Sequence, residues 1–243
     1  MENQTPESPT PHTATVNVES LGTPIAIVIA GALVAAALFF GGTGGTANRP
    51  ATVERPTTPD TFVAVSASDH IMGNPDAPIK IIEYTDLECP FCKQFHGTMH
   101  TIMDTYGATG QVAWVIRNFP LEQLHPNAPK LAEAAECVAE VGGNTAYWAF
   151  LDEIIKVAPI NTFFDMSKLN AAVTAVGVNV ASFRTCYDSG KYADKVAGEV
   201  QDAFASGGNG TPHNILVDKK GKATLIPGSQ PLDVVKKAIE AAL

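Results

Sequence analysis

Two cysteines, Cys89 and Cys92, stand with two residues between them where an apolar, strand-like run meets a helix-like one. The run Ile79-Lys-Ile-Ile-Glu-Tyr-Thr85 is short and β-branched, and Asn74-Pro75 and Ala77-Pro78 punctuate it upstream, so it reads as a buried strand. Pro90 to Tyr106 carries no further proline; Pro90 suits a first helical turn and Gly107 its end. Gln111 to Asn118 reads as a second strand. Strand, helix and strand at this spacing favour a parallel βαβ unit, with the cysteine pair at the start of its helix.

That position suits redox chemistry. Free N–H groups and the helix dipole favour a thiolate at Cys89, and Cys92 lies one turn further, close enough to close a disulfide with it. Cys89 is therefore the candidate nucleophile and Cys92 the buried resolving thiol. A C-x-x-C beside a βαβ pattern is the redox signature of thioredoxin-like proteins. Half of a zinc site and a purely structural disulfide are the alternatives. Zinc needs four ligands, and Cys137 and Cys186, 45 and 94 residues beyond Cys92, form no second C-x-x-C. His96 and His100 follow Cys92 at four-residue steps and could share its helical face, but they read as a solvated face. No metal site is expected. Glu83, six residues before Cys89, is either an edge charge or a buried proton acceptor for Cys92. Gly210-Thr211-Pro212 taken alone is an ordinary trans turn.

Between the second strand and that turn the chain reads as helical. The candidates are Asn127 to Gly142, Thr145 to Val157, Ser167 to Val176, Val180 to Tyr187 and Tyr192 to Ala205. Asn214 to Asp218 and Ala223 to Pro227 form a hairpin signal, and Leu232 to Leu243 an amphipathic helix. The order is βαβ, a helical block, then ββα.

The N-terminal quarter differs in kind. Residues 1–22 lack Lys and Arg and read as a disordered tail. Ile25 to Gly42 is an uncharged apolar run of a length that just spans a bilayer core, so 23–42 is expected to be a transmembrane anchor. A cleaved signal peptide is the rival, but such peptides begin with a basic stretch and have shorter apolar regions. Residues 43–61 read as a Gly-, Thr- and Pro-rich linker, leaving 62–243 as the folded domain. Arg49 and Arg55 would place the side after the anchor in the cytoplasm by the positive-inside rule; the disulfide chemistry argues for the outside and carries more weight. The net charge of −9, with no basic stripe, excludes a nucleic-acid partner.

Taken together, several segments resemble one family. They are Gly73-Asn-Pro-Asp-Ala-Pro78, Ile82-Glu-Tyr-Thr-Asp-Leu-Glu-Cys-Pro-Phe-Cys92, Asn118-Phe-Pro-Leu121, His125-Pro-Asn127, Glu133-Ala-Ala-Glu-Cys137, Cys186-Tyr-Asp-Ser-Gly-Lys-Tyr-Ala-Asp194 and Gly210-Thr-Pro212. In that order, over roughly residues 70–240, they resemble the DsbA-like thiol–disulfide oxidoreductases. The resemblance implies an α/β thioredoxin fold with an inserted all-helical domain, here at about 122–208. The 123 residues from Cys89 to Pro212 leave room for it. It further implies Cys89 as nucleophile, Cys92 as resolver, Glu83 as buried acid, and Thr211-Pro212 as a cis-proline loop that binds substrate peptide beside Phe91. No cofactor is implied beyond the Cys89–Cys92 disulfide itself. Phe91 departs from the best-known members, which have His there; Phe donates no hydrogen bond to a thiolate, which puts oxidising power in question.

Cys137 and Cys186 fall on separate expected helices. They are either buried reduced thiols or a disulfide joining two helices, and an extracytoplasmic domain favours the disulfide. The expected function is introduction of disulfides into exported proteins through a mixed disulfide at Cys89. The expected partners are exported proteins with free thiols or disulfides, a membrane redox partner, and the membrane itself through residues 25–42. A reductase or isomerase of the same fold, or a non-catalytic binding or metal-delivery module, are the alternatives.

Overall fold

The computed structural model describes residue 59 and residues 61–243. The expected tail, the anchor and nearly all of the linker lie outside the described residues. Among the described residues no helix is long and apolar enough to cross a membrane.

Strand β2 (Ile79–Thr85) is buried along its length except at Lys80. A strand covered on both faces needs a continuous apolar run, which is what this segment supplies. It pairs in parallel with β3 (Val112–Asn118), in register from Ile79 with Val112 to Thr85 with Asn118. On its other side it pairs antiparallel with β4 (His213–Val217), Tyr84 opposite His213. Strand β5 (Ala223–Pro227) pairs antiparallel with β4. The free edge of β3 is taken by β1 (His70–Met72), antiparallel, giving the sheet order β1-β3-β2-β4-β5. The sequence reading has no β1: at three residues its pairing to β3 defines it, not a hydrophobic pattern.

Helix α1 (Pro90–Ile102) crosses from β2 to β3. The predicted helix runs to Tyr106, but the chain leaves α geometry after Ile102 and makes a π turn, Met103–Gly107. The Ala108 N–H donates to the Met103 carbonyl across that wider turn. At Gly107 the Met103 side chain lies over the backbone, and a Cβ there would have to push its end aside.

Four helices follow between β3 and β4: α2 (Ala128–Val157), α3 (Leu169–Ala175), α4 (Val180–Ser189) and α5 (Ala193–Ala205). The two helices expected over 127–157 are halves of α2, joined at Gly143, whose φ of 78° only glycine adopts without strain. Asn179 caps α4 by accepting from the Ser182 N–H, and Gly190 ends it in the left-handed region. The chain closes with α6 (Leu232–Ala242).

The alternation of β2 divides the core. Ile79 and Ile81 pack with Phe95, Met99, Trp114, Leu131, Phe150 and Ile239 on the face covered by α1, α6 and the helical block. Ile82 and Tyr84 pack with Val115, Phe119, Ala203 and Ile215 on the other. Each fully buried Ile or Phe contributes about 1.5–3 kcal/mol. Glu83 shares its parity with Ile79 and Ile81, so the strand aims it toward α1.

Candidate active site

Cys89 is the N-cap of α1, with φ −65° and ψ 123°, and Pro90 opens the helix. Asp86 builds the approach. Its Oδ1 accepts from the backbone N–H groups of Glu88, at 2.8 Å, and Cys89, at 3.2 Å. Its Oδ2 accepts from the Leu121 N–H at 2.8 Å and lies 2.8 Å from His125 Nδ1. One buried carboxylate thus joins the loop before α1 to the segment after β3. The Asp86 N–H donates to Cys92 Sγ at 3.4 Å.

Two further side chains tie this corner to the helical block. Glu88 accepts from the N–H groups of Asn127 and Phe164. Lys93, on α1, donates to the Ala158 and Thr162 carbonyls at 2.7 Å each.

Cys89 and Cys92 are free thiols here, both buried. Their acidities are displaced in opposite directions. The Cys89 pKa falls from the ordinary 9.0 to about 6; a hydrogen bond from the Cys92 thiol does most, burial opposes it, and the Thr211 side chain and the N–H groups of Cys92 and Phe91 add to it. Burial pushes Cys92 well above its usual range, and its hydrogen bond to Cys89 and the charges of Cys89 and Glu83 push the same way.

Glu83 is no edge charge. It is 1% exposed on a central strand, and Trp114 Nε1 donates to its Oε2 at 3.0 Å. Burial raises its pKa from 4.5 to about 7 against the lowering effect of Thr85 and Trp114. The Thr85 side chain hydrogen-bonds toward both Glu83 and Cys92. It therefore adjoins both groups and favours the charged form of each.

The Thr211–Pro212 peptide bond is cis. The Cys89 thiol donates to the Thr211 carbonyl oxygen at 3.5 Å, so this loop lies against the nucleophile. The Thr211 hydroxyl is buried with no hydrogen-bond partner among the described residues. It is free to donate once Cys89 ionises. Thr211 and Pro212 line a small cavity with Asn209, His213 and Leu225. Phe91 is 61% exposed, an apolar ring one residue from Cys92 and open to solvent. Cys137 and Cys186 are bonded to each other, with Cα atoms 5.7 Å apart, joining α2 to α4.

The expectation of a solvated histidine face fails for His96, which is buried beside Trp114, with its Nε2 2.7 Å from Asp152 Oδ1 of α2. Sequence reasoning gave no role to Thr85, Asp86, Glu88 or Lys93. Asp86 had a signal: a carboxylate three residues before a helix start can turn back onto the N–H groups that follow it.

A family model described as thioredoxin matches residues 66–241. This chain belongs to the thioredoxin family. Among solved structures, this family member resembles alpha-DsbA1 of Wolbachia pipientis at TM-score 0.63 and 23% identity, covering 73% of this chain and 92% of that one. It resembles DsbA2 of Pseudomonas aeruginosa at TM-score 0.61 and 23% identity, covering 74% and 97%. Oxidised BdbD of Bacillus subtilis gives TM-score 0.62 at 20% identity, covering 72% and 92%. The fold is thus that of DsbA-type thiol–disulfide oxidoreductases. Curated relatives carry a different name. The Na(+)/H(+) antiporter NhaA 1 of Mycolicibacterium gilvum is 32% identical over 146 residues, 59% of this chain and 22% of that protein. The NhaA antiporter of Herminiimonas arsenicoxydans is 28% identical over 197 residues, 81% of this chain and 28% of that protein. The thioredoxin-family chain spans about a quarter of the length of these relatives.

Proposed function

We propose that this chain is a protein thiol–disulfide oxidase that donates the Cys89–Cys92 disulfide to exported proteins. The observation that carries the reading is the split between the two thiols: Cys89 acidic, at about 6, and Cys92 well above the usual thiol range. The antiporter name of the longer relatives describes proteins of which only about a quarter matches this chain, and no ion transport is carried over from it.

In the oxidised protein a substrate thiolate attacks Cys89 Sγ. The Cys89–Cys92 bond breaks, a substrate–Cys89 disulfide forms, and Cys92 leaves with the electron pair. Cys92 is too weak an acid to remain a thiolate in its buried site and takes a proton. Glu83, poised near pH 7, holds that proton, and the Thr85 side chain acts on both groups. A second substrate thiolate then attacks the substrate sulfur of the mixed disulfide, and Cys89 leaves as a stabilised thiolate. Two electrons pass from the substrate dithiol to the cysteine pair, and a membrane redox partner accepts them to restore the disulfide.

A low Cys89 pKa stabilises the reduced protein, which raises the potential of the pair and favours donating the disulfide. The His of the best-known members is Phe91 here. The thiolate relies instead on Cys92, Thr211 and the first N–H groups of α1. The exposed Phe91 and the loop at Thr211-Pro212 would meet an unfolded peptide through an apolar contact and backbone hydrogen bonds.

The catalytic domain is placed outside the cytoplasm, held by residues 25–42. A Cys137–Cys186 bond separate from the C-x-x-C supports this, since cytosolic thiols are normally kept reduced. Protease added to intact spheroplasts should degrade the domain; protection until lysis would contradict the orientation. For the activity, Cys92→Ser should accumulate a mixed disulfide with a dithiol peptide, and Cys89→Ser should lose oxidation. Full turnover by Cys89→Ser would refute the assignment. The equilibrium potential against glutathione separates an oxidase from a reductase.

A further inference from the structure

Helix α1 carries two histidines that the thiol chemistry does not use. His96 and His100 are one turn apart and so lie on one face of the helix. Asp152, on α2, meets both. Its Oδ1 is 2.7 Å from His96 Nε2 and 2.9 Å from His100 Nε2, and the two nitrogens are 3.0 Å from each other. Three donor atoms from two helices therefore form a nearly equilateral triangle.

The chemistry of these atoms makes the triangle demanding. An ionised carboxylate oxygen offers only lone pairs, and a neutral imidazole offers a lone pair at one ring nitrogen. If both Nε2 atoms carry hydrogens, the hydrogens crowd into one small space. If neither does, three lone pairs converge. One positive centre within reach of all three satisfies them together. A proton serves two of the atoms at a time, whereas a metal ion serves all three.

We propose that His96, His100 and Asp152 form a binding site for a first-row transition-metal dication of the zinc class. Imidazole nitrogen and carboxylate oxygen bind such ions at about 2.0–2.2 Å. At a distance of about 2.05 Å, ligands at right angles stand about 2.9 Å apart and tetrahedral ligands about 3.4 Å apart. The observed 2.7, 2.9 and 3.0 Å match three adjacent positions of an octahedron as they stand. A tetrahedral site needs the side chains to open by a few tenths of an ångström. Two imidazoles select transition ions over magnesium or calcium, which prefer oxygen throughout.

The surroundings suit a bound ion. The His96 side chain is nearly buried, while those of His100 and Asp152 are 36% and 49% exposed, so the site is anchored on one side and open to water on the other. Water would fill the remaining positions. Both rings pack on Trp114, with centroids 5.1 Å and 5.6 Å away, which holds their orientation. The ion would pin α1 to α2, one turn beyond Cys92. It would also sit beside the indole that donates to Glu83.

The test uses the full chain in detergent, stripped of metal and with Cys89 and Cys92 oxidised to a disulfide so that no thiolate competes. Titration with Zn2+ at pH 7.5, followed by calorimetry, should show one ion per chain. Asp152→Asn and His100→Gln, both at partly exposed positions, should each weaken binding about 10-fold or more, and the double variant should abolish it. Co2+ added to the wild-type chain should quench the fluorescence of the adjacent Trp114 and Trp148 pair, a readout that needs no variant to fold. Equal Zn2+ affinity in wild type and Asp152→Asn would overturn the proposal, as would no binding at millimolar Zn2+. The latter result would leave the triangle held by a shared proton.

Discussion

Cys89 Sγ lies 3.5 Å from the Thr211 carbonyl oxygen across 122 residues of sequence. The sheet register explains it. Tyr84 of β2 pairs with His213 of β4, and the two strands run antiparallel. The residues that follow β2 and those that precede β4 therefore emerge at the same end of the sheet. The helical block between β3 and β4 leaves this meeting unchanged, because both loops are anchored on neighbouring central strands.

Alkylation by iodoacetamide should report a Cys89 midpoint near pH 6, with Cys92 unreactive across the neutral range. The same shift couples to stability. A thiol whose pKa is depressed on folding stabilises the reduced protein fully above the ordinary 9.0, and that contribution is lost as pH falls through about 6. The melting temperature of the reduced form should therefore rise relative to the oxidised form between these two values. A difference that stays flat with pH would contradict the depressed pKa.

Thr211→Val removes a hydroxyl with no partner among the described residues, so stability should change by less than about 1 kcal/mol. The Cys89 midpoint should nevertheless move upward, because that side chain helps hold the thiolate. An unchanged alkylation profile would show that the hydroxyl does not reach the sulfur.

Glu83→Gln should slow dithiol oxidation roughly 100-fold and remove an inflection near pH 7. The amide oxygen can still accept from Trp114, so the fold should survive. The stability effect has a sign. A carboxyl raised from 4.5 to about 7 penalises the folded state little below 4.5 and fully above 7. The variant should then melt higher than wild type at pH 8 and nearly equal to it at pH 4. A lower melting temperature at pH 8 would argue that the carboxylate is stabilising.

Replacing both Cys137 and Cys186 by Ala opens a link between residues 49 apart. On the chain-entropy model this costs roughly 3–4.7 kcal/mol. The melting temperature should fall while the Cys89 alkylation profile stays unchanged, since the bond joins α2 to α4. Loss of Cys89 reactivity at temperatures where the variant is folded would assign the bond a role in the site.

Much of the scaffold was legible in the chain. Ile79–Thr85 and Ala223–Pro227 are strands with the bounds that their apolar runs suggest. Pro90 opens α1, but α geometry stops at Ile102 and a π turn runs on from Met103 to Gly107, a change of pitch that no spacing in the sequence announces. Strand β1 was not legible, since three residues carry no periodic signal and only the open edge of β3 defines them. Within the site, Cys89 and Cys92 were legible from spacing alone. Thr85, Asp86 and Lys93 were not, because each acts on atoms that the fold brings to it.

The sequence by itself determined whatever depends on short-range spacing: a cysteine pair at a helix start, the parity that aims Glu83 with Ile79 and Ile81, and the alternation of strands and helices. Those follow from the two-residue and 3.6-residue periods of the backbone. Only the tertiary structure decided that Glu83 is sealed against Trp114, that Thr211 faces Cys89, and that Asp152 closes over His96 and His100. These pairs lie 31, 122 and 56 residues apart. No local period relates positions so distant; sheet order and the packing of α2 against α1 do, and the desolvation that shifts Glu83 exists only once that packing has excluded water.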